Sequence, residues 1–178
     1  MQHEFRNNIW MLCVVGFVVG ILYSNCIAKE YMLSLAIFDN YYLNQFVQTN
    51  RKDISFILYL IKIRMLPFVV MCIFQTNRLG KIIIWIFLFW TGFLFGIVFT
   101  AGALKVGIKG IVLSLLMLFP HGIAYFFGYG MLIHYVGNYN KRFIEYNKLI
   151  ICIAYICVGI ILEYYINPIM VKIFIKMI

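Results

Sequence analysis

Residues Ile111–Val136 read IVLSLLMLFPHGIAYFFGYGMLIHYV, an apolar run whose ionisable residues are His121 and His134. About 20 apolar residues cross a bilayer as a helix, so a run of this length is a membrane span. Pro120 lies near its middle. Proline removes a backbone donor and pushes the preceding residue out of the helical region, and Gly122 eases the break. Non-helical backbone at membrane depth persists only where protein or a water-lined cavity surrounds it. The Pro120-His121-Gly122 stretch is therefore expected to face protein. Two readings follow: a Pro-kinked span whose histidine bonds a neighbouring carbonyl, or a functional break that presents His121.

The remainder of the chain has the same character. Of 178 residues, 65% are hydrophobic and 12% charged, against roughly 45–50% and 25% in soluble domains. This is the composition of a polytopic membrane protein, with little polar sequence left for a soluble catalytic domain. The net charge of +9 does not point to nucleic acid. Its basic residues are scattered through short loops, where membrane lipids with anionic head groups would meet them. Cys13, Cys26, Cys72, Cys152 and Cys157 lie inside apolar runs without ligand-like spacing, and read as small hydrophobes.

Moving outward, the sequence predicts an all-α bundle of five spans: Ile9–Ala28, Ile54–Phe74, Ile82–Leu104, Ile111–Val136 and Leu149–Ile166. The whole chain is one integral membrane domain. The first run is too long for a signal-peptide core and lacks a good cleavage site, so it is expected to remain as a span. Its Gly16 and Gly20 form a Gly-x-x-x-Gly pair. In the third span, Gly92, Gly96, Thr100, Ala103 and Gly107 recur three or four apart. Gly92, Gly96 and Ala103 are thus expected to line a close helix contact. Between the first two spans, Lys29–Asp53 leans polar. Tyr41, Tyr42, Leu43, Phe46 and Val47 have helical spacing there and predict a short interfacial helix. The basic residues do not set the orientation. Arg6, Arg78, Lys81, Lys141, Arg142 and Lys148 fall on one side, and Lys29, Arg51, Lys52, Lys105, Lys109, Lys172 and Lys176 on the other.

The second span is unusual because Lys62 and Arg64 lie near its middle. Central cations cost ~2.5–3.5 kcal/mol each on insertion scales. Either the helix crosses and turns them towards the bundle, or Ile54–Ile63 lies at the interface and Met65–Phe74 dips in, with Pro67 marking the break. A full crossing with a bend is the expectation adopted here. Glu163 is the carboxylate at the end of the last span. It either snorkels to the interface beside Tyr164 and Tyr165 or pairs with Arg64, Lys62 or His121. Arg64 is the first choice, because a guanidinium meets a carboxylate with two parallel hydrogen bonds and keeps its charge.

Catalytic chemistry is hard to assemble from these residues. His121, His134, Glu163 and isolated cysteines are too few for a metal centre. Ser114 stands two helical turns before His121, out of reach for a nucleophile and base. No nucleotide motif occurs, and no cofactor is expected.

Phe119-Pro120-His121-Gly122 inside a broken span, followed by Leu162-Glu163-Tyr164-Tyr165-Ile166-Asn167-Pro168, resembles the stage II sporulation protein M family. Its members carry a Pro-His-Gly element and a late Glu-Ala-Tyr-x-Thr-Pro-like ending. Many have a glutamate where this chain has Tyr125. The resemblance covers most of the chain. It implies a multi-pass protein of the cytoplasmic membrane of a spore-forming bacterium, at the septum during sporulation. There it would be a non-catalytic scaffold for membrane-anchored cell-wall hydrolases that remodel septal peptidoglycan during engulfment. A small transporter or channel component built on the broken span is the alternative. An intramembrane enzyme ranks third.

Overall fold

The structure is a computed structural model that describes residues 2–34, 54–74, 79–137 and 146–177. The expected interfacial helix over Tyr41–Val47 lies outside the described residues. Among those described, every regular element is helical. The elements are α1 (Gln2–Cys26), α2 (Lys29–Ser34), α3 (Ile54–Ile73), α4 (Leu79–Val106), α5 (Ile108–Leu118), α6 (His121–Gly137), α7 (Tyr146–Ile161), a π-turn (Leu162–Ile166) and α8 (Asn167–Met177). This follows from the solvent. In lipid each backbone donor and acceptor must be satisfied within the segment, and a helix does this without a partner strand.

Three helices are long and apolar enough to cross a membrane: α3, α4, and the continuous stretch Tyr146–Met177. The α5–α6 pair makes a fourth if it counts as one broken crossing. The apolar part of α1, Trp10–Cys26, is shorter than these. The chain is thus a multi-pass membrane protein. Helix α3 is continuous through Pro67, the full crossing expected from the sequence, and Ile54–Ile63 is not a separate interfacial piece. One boundary differs from expectation: the last span does not end at Ile166, because α8 prolongs it. The break at Phe119 and Pro120 falls where the sequence puts it, between α5 and α6.

The chain forms two compact units. The first contains α1, α2, α4 from Leu88 onward, α5, and α8 from Pro168. Its organising contact is glycine on glycine. A Cβ added at Gly92 would strike the Cys13 carbonyl, one at Gly16 the Phe89 carbonyl, and one at Gly20 the Phe93 carbonyl. At Gly96 a Cβ would stand 3.0 Å from the Gly20 Cα. Without an apolar driving force in lipid, such close backbone approach supplies dispersion contact that larger side chains would prevent. Thr100 also lies on this face, its hydroxyl donating to the Gly96 carbonyl at 2.8 Å.

The α4–α5 turn is made by Gly107, whose φ of 66° is the left-handed conformation that favours glycine. It brings Gly102 against Gly110, where a Cβ on either would hit the other's carbonyl. Ala103 is half-buried and its carbonyl accepts from the Gly107 N–H, so Gly102 makes the close approach in this turn. Below it, Ala28, Met32, Ala101, Leu113 and Val171 form the buried apolar cluster.

The second unit holds α3, the start of α4 up to Phe87, α6, α7 and the π-turn. Helices α6 and α7 pack along one another, and α3 packs on both. The small residue at this contact is Gly128, whose Cβ would stand 3.1 Å from Ile156 and 3.2 Å from Tyr155. Buried Cys152, Ile156, Gly159 and Ile160 continue at helical spacing to Glu163, so the stripe that seals α7 also carries the carboxylate inward.

Candidate functional site

The polar residues of the second unit converge on Glu163. On α3, Leu60, Arg64, Phe68 and Met71 share one face by their spacing, and the three apolar members are buried. Arg64 is therefore carried to the protein side of its helix. Its Nη2 donates to Glu163 Oε1 at 2.6 Å and its Nε donates to Oε2 at 3.0 Å. This is the two-point pairing of a planar guanidinium with a carboxylate. The Glu163 side chain is 13% exposed and that of Arg64 34%.

Two tyrosines of α6 complete the network. The Tyr125 hydroxyl donates to Glu163 Oε2 at 2.6 Å, and its ring lies 4.8 Å beneath the Arg64 guanidinium carbon. Cation and ring attract, more so when both are desolvated. Room for this ring comes from Gly159, where a Cβ would stand 2.5 Å from Tyr125 Cε1. One turn further along α6, the Tyr129 hydroxyl donates to the Arg64 carbonyl. That carbonyl lies beside the gap left by Pro67, which has no N–H to offer Ile63. Each tyrosine thus carries an apolar ring into the core and spends its hydroxyl on α3 or the π-turn.

His121 stands one turn before Tyr125, with the two rings edge to face at 5.7 Å between centroids. The imidazole is 5% exposed, and its Nδ1 has no hydrogen-bond partner among the described residues. Asn167 Oδ1, at the far end of the π-turn, is likewise buried without a described partner. The π-turn itself widens the helix at Glu163. The Asn167 N–H bonds to the Leu162 carbonyl, one residue further back than in an α-helix.

Of the polar residues singled out in the sequence, Arg64, His121 and Glu163 are brought together. Pro120 and Gly122 flank His121 at the start of α6. Lys62 is not part of the network: it is exposed, two residues from Arg64 and off the buried face. Tyr129 is a member that the sequence alone did not single out, and Tyr125 stood out there only as the place where the resembling family often has a glutamate. A usable signal existed, since His121, Tyr125 and Tyr129 are four apart and share a helix face. Ser114 belongs to the other unit, where its hydroxyl is 2.9 Å from the Gly110 carbonyl and 3.2 Å from that of Val98. No group of three or more His, Cys, Asp or Glu side chains suited to a metal occurs among the described residues.

Fold and site together define a multi-pass α-helical membrane protein with a charged, hydrogen-bonded knot inside one of its units. Comparison of the chain with protein-family profiles, curated proteins and solved structures finds no match.

Proposed function

We propose that this chain is a non-catalytic membrane scaffold that gathers membrane-anchored peptidoglycan hydrolases, as its resemblance to the stage II sporulation protein M family implies. One observation carries the reading. The two motifs behind the resemblance meet in a single network: His121 lies against Tyr125, and Tyr125 and Arg64 hold Glu163. Motifs so far apart in sequence have a common task if both are needed to fix α3, α6 and the last span. Arg64 and Glu163 spend their charges on each other, as suits a part that holds helices in place. Partners would bind around this frame and perform the bond cleavage themselves.

The test is capture of the tagged full-length protein from membranes of sporulating cells, with the wall hydrolases followed by immunoblot. Co-purification from wild type, with loss on Glu163→Ala at equal expression, is the expected result. Hydrolases absent from the wild-type capture would refute the reading. The unpartnered Nδ1 of His121 and Oδ1 of Asn167, beside a break and a π-turn, favour a second reading as a small transporter component. Solute flux into vesicles holding the purified chain alone, abolished by His121→Ala, would replace the scaffold with that reading.

A further inference from the structure

Lys62 is the charge that the network leaves out. Helix α3 is long and apolar enough to cross the membrane as one piece. Lys62 is eight residues in from Ile54, or roughly 12 Å along the axis, close to the midplane of a hydrocarbon core about 30 Å thick. A four-carbon stem does not carry an ammonium that far to the head groups. Lys62 also lies at the centre of the outward stripe of α3. Leu58, Leu66 and Ile73 share that stripe by helical spacing and are 62%, 61% and 64% exposed. The opposite face, with Leu60, Phe68 and Met71, is the buried one. The outward face is thus an apolar surface with one cation at mid-depth, and among the described residues no carboxylate forms an ion pair with Lys62.

We propose that this face of α3 docks a transmembrane helix of another protein, one that carries an aspartate or glutamate near its midpoint. A bare ammonium at mid-depth is costly in lipid, and a carboxylate at the same depth on a partner removes that cost for both. The exposed leucines and isoleucine on either side supply the apolar contact of a helix pair. A second copy of this chain does not fit the role. Glu163 is the carboxylate that its described spans contain, and Arg64 already holds it. The proposal deepens the scaffold reading, because it names the chemistry by which a membrane-anchored partner is recognised.

The probe is a synthetic transmembrane helix of about 20 leucines and alanines with one central glutamate, beside versions with central glutamine and leucine. Each is labelled and mixed with the labelled full-length protein in phosphatidylcholine vesicles, and association is read by energy transfer. The glutamate helix should associate about tenfold or more tightly than the leucine helix, with glutamine between them. Lys62→Arg should keep that preference and Lys62→Met should abolish it. Lys62→Met should leave the melting of the isolated protein unchanged or raised, so its loss of association will not reflect misfolding. Equal association of glutamate and leucine helices overturns the proposal. So does a preference that survives Lys62→Met, or self-association of the wild type that Lys62→Met removes. If the probe fails while hydrolases still co-purify, the docking face falls and the scaffold reading stands. If the probe binds as stated but hydrolases do not co-purify, the docking face stands and the identity of the partners falls.

Discussion

Separating Arg64 from Glu163 is the sharpest test of the network. Arg64→Met keeps the length of the side chain and removes its charge. Glu163 is then left with the Tyr125 hydroxyl as its remaining described bond. Breaking a buried pair by removing one member costs about 3–5 kcal/mol. A third of the Arg64 side chain is exposed, so the lower figure applies, about 3 kcal/mol. Glu163→Gln keeps the shape and an acceptor for Tyr125, and Arg64 has an open side, so about 2 kcal/mol is expected. If the losses were independent the double variant would lose about 5 kcal/mol. Neither buried charge survives in that variant, so a loss of about 2–3 kcal/mol is expected, a coupling of about 2–3 kcal/mol. The assay is thermal or denaturant unfolding in detergent micelles. At ~2–4 °C per kcal/mol, Arg64→Met should lower the melting temperature by ~6–12 °C. Losses that add to within about 0.5 kcal/mol would refute the pairing.

Three further outcomes are expected. Gly96→Leu places a side chain where even a Cβ stands 3.0 Å from the Gly20 Cα, and should lower stability by about 2 kcal/mol or more in the same melting assay; an unchanged curve would mean that α1 does not lie there. Tyr125→Phe removes one bond to Glu163 and should cost about 1–2 kcal/mol, while Gly159→Ala should act through the same bond by displacing the Tyr125 ring, so that the double variant is little worse than the poorer single. Simple addition of those two losses would disconnect Gly159 from the hydroxyl. His121→Phe removes a buried nitrogen that has no described partner and should leave melting unchanged or raise it by up to about 1 kcal/mol; a clear loss would show that the imidazole is bonded in the membrane.

The fold class was legible in the sequence because lipid leaves the backbone few choices. A run of about 20 apolar residues in a bilayer must close its own hydrogen bonds, and a helix is how one segment does so. Run lengths therefore gave α3, α4 and the last span, while the apolar part of α1 is shorter than those, and Pro120 gave the break, since a missing N–H acts locally. The costs of Arg64 and Glu163 were legible too, because a charge among apolar neighbours is costly wherever the chain runs. Composition and spacing do not say where one helix lies against another. That Gly20 meets Gly96 while Gly16 meets Phe89 and Gly92 meets Cys13, or that Gly102 and not Ala103 closes on Gly110, depends on crossing position and on the rotation set by the Gly107 turn. Tyr125 and Tyr129 stood among 13 tyrosines that are unremarkable in a membrane chain, and their roles depend on Gly159 leaving room for the Tyr125 ring and on α3 presenting the Arg64 carbonyl to Tyr129. The π-turn at Leu162–Ile166 was equally hidden. A single residue of extra winding leaves almost no trace in an apolar sequence, yet it occurs where Glu163 meets Arg64. Local chemistry decided what each segment is, and tertiary packing decided which of the scarce polar groups share one site, because such pairings belong to two helices at once.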